Sequence, residues 1–318
     1  MKKKTIRLIK WILLIFSFIA LFIFLVIFYA SFRYSRTKLR TANDYNPADT
    51  CLYHIIITGT YENQSFLTGL YEGASAMSKS YNAVVDLHVP QSQADTTSIQ
   101  ELLDYCSLMN ADGIIAYIDS PDETPVLLQR SDEPVIPLVT TGQFSANLPQ
   151  VSYVGINNWE LGKKIADEIL ALLTDGGNVY IISDSITTNS VNLISSIQLA
   201  LQETPDIQST VMEDLSEDFE IYGEKNIFIC LTEDDTIRLA QKLSEQFFPF
   251  NYKLLGFGGN EVCQLYLQKG FITELFSLDP EKIGETAIRE LFEYRNKGYA
   301  NSYITAEVKI AKTEGVGK

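Results

Sequence analysis

The sequence predicts an α/β protein: two doubly wound parallel-sheet lobes following one N-terminal transmembrane helix. Three observations carry this expectation. Short β-rich apolar runs alternate with helix-period stretches over roughly 260 residues, as expected of parallel strands joined by crossover helices. The runs are apolar at every position rather than at alternate ones, as in strands covered by helices on both faces. Ahead of this alternation stand 22 consecutive uncharged residues, Trp11 to Phe32.

That opening segment reads as a membrane anchor. As a helix it would be about 33 Å long at 1.5 Å per residue, enough for a hydrocarbon core of about 30 Å. Trp11 and Tyr29 sit near its two ends, where amphipathic rings favour the interface. A cleavable signal peptide has a shorter apolar region, about 7–15 residues, and ends in a small-x-small site; here Phe28 and Tyr29 precede Ala30. Five basic residues precede the span (Lys2, Lys3, Lys4, Arg7, Lys10) and four follow it (Arg33, Arg36, Lys38, Arg40), a lean towards an internal N-terminus and an extracytoplasmic body. The expected division is therefore a basic segment 1–10, an anchor 11–32, a polar linker 33–50 and a body 52–318.

Within the body the elements follow in order. Residues 52–57 (LYHIII) form a strand, and Phe66, Leu70, Ala74 and Met77 share the apolar face of the next helix. Residues 83–87 (AVVDL) are the second strand. Ser98 and Glu101 have the spacing of a capping box, opening a helix whose Ile99, Leu102, Leu103 and Cys106 lie on one face. Strands follow at 113–118, 135–139 and 151–154. A helix through Leu161, Ile165, Ile169 and Leu172 is closed by Gly176 and Gly177. The second half then repeats the habit: strand 179–182, helix through Leu193, Ile197 and Leu201, strand 227–231, helix through Ile237, Ala240 and Leu243, strand 253–257. No repeat of 20–50 residues marks a solenoid or propeller.

Charge and motif content exclude several functions. The 318 residues carry a net charge of −15, and residues 1–40 contain nine basic side chains and no acidic one, so the remainder stands at 16 basic against 40 acidic, or −24. Such a body repels phosphate backbones, so no nucleic-acid partner is expected. Two histidines, His54 and His88, give no zinc-ligand spacing, and neither a nucleophile elbow nor a P-loop is present. No enzyme activity, metal or cofactor is expected. Residues 256–260 (GFGGN) follow a strand and open a helix but lack the dinucleotide spacing. Glu233–Asp235 and Asp132–Glu133 read as a helix N-terminus and a solvated loop. Cys51, Cys106, Cys230 and Cys263 show no CxxC spacing and read as buried free thiols, with a Cys230–Cys263 bridge as the alternative.

Four segments resemble one family. Residues 151–166 (VSYVGINNWELGKKIA) resemble the V-x-x-D-N-x-x-x-G-x-x-x-A segment of type 1 periplasmic binding proteins, the ribose/galactose class shared with LacI-type regulators. Residues 254–260 (LLGFGGN) stand where that family has V-x-G-F-D, and 269–284 (KGFITELFSLDPEKIG) resemble its G-x-(I/L)-x-A-T-(V/I)-x-Q-x-P-x-x-I-G stretch. Phe66 with Leu70 and Gly73 matches the opening of its first helix. The order and spacing agree across nearly the whole body. The resemblance implies a ligand cleft between lobes joined by a three-strand hinge, with lobes at about 52–156 plus 280–299 and 157–279 plus 300–318.

It also implies where ligand would sit, since open α/β sheets bind beyond the carboxyl ends of their strands. The candidate contacts are Tyr61, Glu62, Gln64, Phe66, Asp119, Thr140, Asn157, Asn192 and Thr232. Polar groups among them would hydrogen-bond hydroxyls, and the rings would pack on an apolar face. Asn157 as a helix cap and Phe66 as a core anchor are the structural alternatives. The sugar-binding members usually carry Asp-Arg at Val139–Thr140, Arg near Asn192, Asn near Thr232, Asp at Gly258 and Gln at Leu278. The loss of these orienting groups points either to a ligand other than an ordinary sugar or to an interaction module that has lost its ligand. The resemblance implies a solute-binding protein serving an ABC permease or a membrane sensor kinase.

Overall fold

The computed structural model describes residues 53–92, 98–119, 136–183, 188–212, 225–246 and 252–313. The chain divides into two units, Met1–Cys51 and Leu52–Lys318, and everything described lies in the second. The expected anchor 11–32, its flanks, the linker and Cys51 lie outside the described residues. Among the described residues no helix is long and apolar enough to cross a membrane.

The first lobe is built from β1 (Tyr53–Thr58), α1 (Gln64–Ser78), β2 (Ala83–His88), α2 (Ile99–Leu108), β3 (Gly113–Ile118), β4 (Leu138–Gly142) and β5 (Ser152–Gly155). The second contains α3 (Asn158–Leu172), β6 (Gly177–Ile182), α4 (Thr188–Leu201), β7 (Ile207–Met212), β8 (Asn226–Cys230), α5 (Glu233–Gln246), β9 (Lys253–Phe257), α6 (Glu261–Gln268) and β10 (Glu274–Leu278). Helix α7 (Pro280–Lys297) and β11 (Tyr303–Thr305) return to the first lobe, and β12 (Val308–Lys312) ends in the second.

The sheets run β11-β5-β4-β3-β1-β2 and β12-β10-β9-β8-β6-β7, so the two lobes repeat one strand order. All described pairings are parallel except β10 with β12. In each lobe the winding reverses between the first strand and the third, β1/β3 and β6/β8, which defines a topological switch point. Helices cover both faces. In the first lobe α1 and α7 pack with Ile55, Ile57, Ile115 and Val139, while α2 packs with Ile56, Ile114, Ala116 and Leu138. In the second, α3 and α4 bury Val179, Ile181, Ile227 and Ile229, and α5 and α6 bury Phe228, Cys230 and Leu254.

The expected capping box formed, with Ser98 and Glu101 making both of its arms. Helix α7 starts with Asp279 as N-cap and Pro280 in its first turn, ending at left-handed Gly298. The motif glycines serve helix contacts. A Cβ on Gly73 of α1 would overlap the Glu281 backbone of α7, one on Gly284 would overlap the Leu70 backbone, and one on Gly162 of α3 would meet Ser196 of α4.

Two expectations are corrected. The strand read at 135–139 is β4, Leu138–Gly142, because Pro137 has no N–H for the ladder and offers only its carbonyl, to Ile114. The lobe boundary at 300 also moves. β11 lies beside β5 (Tyr303 opposite Tyr153, Thr305 opposite Gly155) and covers the edge that β5 would otherwise expose. The chain therefore crosses at Ala306–Glu307. Cys106 and Cys263 are free and buried, so the alternative Cys230–Cys263 bridge does not form.

Candidate functional site

The first switch point lies where β1 and β3 end. Asp119 follows β3, and its carboxylate accepts a hydrogen bond from the Thr60 hydroxyl at 2.6 Å and another from the Asn63 amide. Asn63 also donates to Thr60 Oγ1 at 3.0 Å, so the single 3-10 turn Tyr61–Asn63 is stitched to the end of β3. Asp119 opens to solvent yet is walled by protein. Desolvation raises its pKa, the two hydrogen bonds pull it back, and the charge of Glu62 raises it again.

Beside Asp119 stands Tyr117. Its ring meets Phe66 edge-on, centroids 5.3 Å apart, and lies so close to Gly142 that a Cβ there would come within 2.9 Å of it. Gly142 is left-handed, with φ +82°, so both its conformation and its missing side chain serve this contact. Burial pushes the Tyr117 hydroxyl far above its usual range, and the charges of Asp119 and Glu233 push it further.

Glu233 belongs to the second lobe and occupies the matching place, beyond β8 at the start of α5. Its carboxylate accepts from the backbone N–H of Gly259 (2.7 Å) and Asn260 (3.2 Å) and from Asn260 Nδ2 (2.9 Å). Gly258, at φ +150°, would place a Cβ 2.8 Å from Glu233 Oε2. The 256–260 turn, which follows a strand and opens a helix, is thus filled by the protein's own carboxylate. Asn260 then caps α6 by accepting from Cys263 N.

The hinge closes this arrangement. Tyr153 donates its O–H to the Gly142 carbonyl at 2.8 Å, and Tyr303 donates to the Ile156 carbonyl at 2.6 Å. Phe144, Tyr153 and Tyr303 pack as a trio with centroids 4.8–5.3 Å apart. Asn189 of α4 reaches across the lobes to the Phe144 carbonyl at 3.2 Å. Behind the crossover is a groove of about 150 Å³ whose wall includes Asp279, Lys282, Ile304, Glu307 and Lys309. There Lys309 pairs with Asp279 at 2.7 Å.

A family model described as "Periplasmic binding protein domain" matches residues 55–298. The chain belongs to that family. Solved structures agree on the fold. A glucose-galactose binding protein from Geobacillus stearothermophilus is 20% identical, with a TM-score of 0.69 over 84% of this chain and 99% of that one. A sugar ABC transporter (sugar-binding protein) from Bacillus halodurans is 16% identical, with a TM-score of 0.70 over 83% and 98%. A XylFII–LytSN complex is 17% identical, with a TM-score of 0.65 over 83% and 99%. No curated protein sequence matches the chain.

In this periplasmic binding protein domain the expected contacts separate into two sets. Tyr61, Glu62, Phe66 and Asp119 gather at the first switch point, with Gln64 exposed where α1 begins. The others take different places. Thr140 is fully buried within β4, and its hydroxyl has no hydrogen-bond partner. Asn157 caps α3, accepting from Trp159 N and Glu160 N. Thr232 caps α5: it accepts from Asp235 N at 3.1 Å and donates to the Asp235 carboxylate at 2.8 Å. Asn192 is exposed in the first turns of α4. Sequence reasoning missed Thr60, Asn63, Tyr117 and Glu233. The Thr-x-x-Asn spacing directly after a strand was the available signal for the first two. Tyr117 read only as strand and Glu233 only as helix-terminal charge.

Proposed function

We propose that this is a membrane-anchored, extracytoplasmic solute-binding protein that captures a small sugar or sugar-like molecule. It binds without turnover and passes its ligand, or the fact of binding, to an ABC permease or a membrane sensor kinase. The observation that carries the reading is the repeated topology, with one switch point per lobe, Asp119 directly beyond the third strand of the first lobe and Glu233 beyond that of the second. A ligand held by both lobes favours their closed arrangement, and a partner that reads that arrangement responds to ligand. Family membership supports binding over catalysis. The printed identities of the glucose-galactose binding protein and the sugar ABC transporter protein support a carbohydrate-like ligand. The uncharged run 11–32 and its basic flanks support a single-pass anchor with the N-terminus inside.

A second reading is a ligand-degenerate module that partners the kinase or permease directly. Two observations favour it: Asn157 and Thr232 serve as helix caps, and a XylFII–LytSN complex is among the structural neighbours.

Thermal unfolding against a panel of sugars, polyols, nucleosides and amino acids separates the two. A ligand at 100 times its Kd adds about 2.7 kcal/mol, a rise in Tm of about 5–10 °C at this size. A folded protein that shifts with no compound supports the second reading. Protease shaving of intact cells tests the topology, since a body protected from external protease contradicts the extracytoplasmic placement.

A further inference from the structure

We propose that the cleft selects a small hydroxylated ligand bearing a protonated amine, an amino sugar, held between the Asp119 and Glu233 carboxylates over the Tyr117 ring. The inference rests on the solute-binding reading above and narrows its ligand class.

The two carboxylates occupy corresponding places in the repeated topology, each directly beyond the third strand of its lobe. Closing the lobes over a ligand brings them towards one another. Among the described residues neither pairs with a Lys or Arg, and the neighbouring charges Glu62 and Asp234 are also negative. Among the described residues Asp119 receives only neutral donors, Thr60 and Asn63, and Glu233 only the amides of Gly259 and Asn260. A neutral sugar bound between the lobes would leave both carboxylates without a counter-charge, whereas a cation is attracted by each. The floor suits such a ligand. Phe66 and Tyr117 supply adjoining aromatic rings, and ring faces attract ammonium groups.

An independent observation marks where hydroxyls of the same ligand would bind. Thr141 lies level with Tyr117 on the neighbouring strand, in register and therefore on the same face of the sheet. Its side chain is fully buried, and its hydroxyl has no hydrogen-bond partner. A buried hydroxyl left unpaired is costly, and at the mouth of β4 a ligand hydroxyl is a suitable partner.

The test is calorimetric titration of the purified full chain in mild detergent with D-glucosamine and D-galactosamine, set against D-glucose, D-galactose and N-acetyl-D-glucosamine. The amines should bind at least about ten-fold more tightly than their neutral parents, and N-acetylation should abolish the gain. The amine affinity alone should fall as salt is raised. Glu233→Gln should lower amine binding about ten-fold and abolish its dependence on salt; the wild-type comparison stands even if that variant fails to fold. Equal binding of neutral and amine-bearing sugars would overturn the inference while leaving the receptor reading intact. Binding of calcium alone, with no response to the amines, would overturn it in favour of a metal site. Silence across the whole panel overturns both readings.

Discussion

Replacing Gly73 by Ala sets two known effects against each other. In a helix interior Ala is favoured over Gly by about 1 kcal/mol, so local propensity predicts that the variant is more stable. The packing predicts the opposite. A Cβ at position 73 would stand 2.6 Å from the Glu281 carbonyl carbon and 2.7 Å from its Cα, against about 3.5–4 Å for carbon atoms in contact. The clashing atoms are backbone, so no rotamer change relieves them. Helices α1 and α7 must therefore part by about 1 Å. A gap of that size forfeits a quarter to a half of each dispersion contact, along an interface that also holds Leu70, Ala74, Ile283, Ala287 and Ile288. Because the clash is backbone on backbone, its cost belongs at the upper end of the usual range for overpacking, about 3 kcal/mol, so the net loss after the propensity gain is about 2 kcal/mol. Thermal unfolding should show Tm lowered by about 4–8 °C, and urea titration a lower midpoint at unchanged slope. Gly284→Ala, which would place a Cβ 2.9 Å from the Leu70 carbonyl carbon, attacks the same crossing, so the double variant should lose less than the sum. Gly259→Ala is the control: a Cβ there has nothing within 4 Å, and its stability should stay within about 0.5 kcal/mol of wild type. A Gly73→Ala protein that melts at or above wild type would refute the account of this helix pair.

Two further outcomes follow from ionisable groups. Burial pushes the thiols of Cys106 and Cys263 up to about 12, so at pH 8 the folded protein should resist iodoacetamide at both sites and react only as it unfolds; rapid labelling of native protein, read by mass spectrometry, would contradict their burial. The Asp279 carboxyl is held below its ordinary range, first by the hydrogen bond from Lys309 and then by the Lys282 backbone N–H. A depressed folded pKa stabilises above the unfolded value and loses that contribution as pH falls through the folded one. Asp279→Asn should therefore be less stable than wild type at pH 7, and the difference should shrink in acid below about pH 4, the ordinary Asp range; a pH-independent gap in urea titrations would show that the ion pair contributes nothing.

The sequence by itself determined the alternation of strands and helices, the parallel sheets and the caps, because these depend on local periodicity and on which residues can donate or accept within a few positions. Ser98 with Glu101 was legible for that reason. The edge strands β7, β11 and β12 were not. They are short and half exposed, so no continuous apolar run announces them, and only the unfilled edge of a neighbouring strand makes them strands. The role of Gly73, Gly162 and Gly284 as crossing points was likewise hidden, since a close approach belongs to two helices at once. The same holds at the site. Asn157, Thr232 and Asp119 each follow a strand and look alike in sequence, but two cap the helix that follows and Asp119 instead accepts from Thr60 and Asn63. Tyr117 and Glu233 lie far apart in the chain and act on one another only after both lobes have folded around the hinge. Tertiary structure alone decided those pairings, because the contact energies involved exist only once distant segments have been brought together.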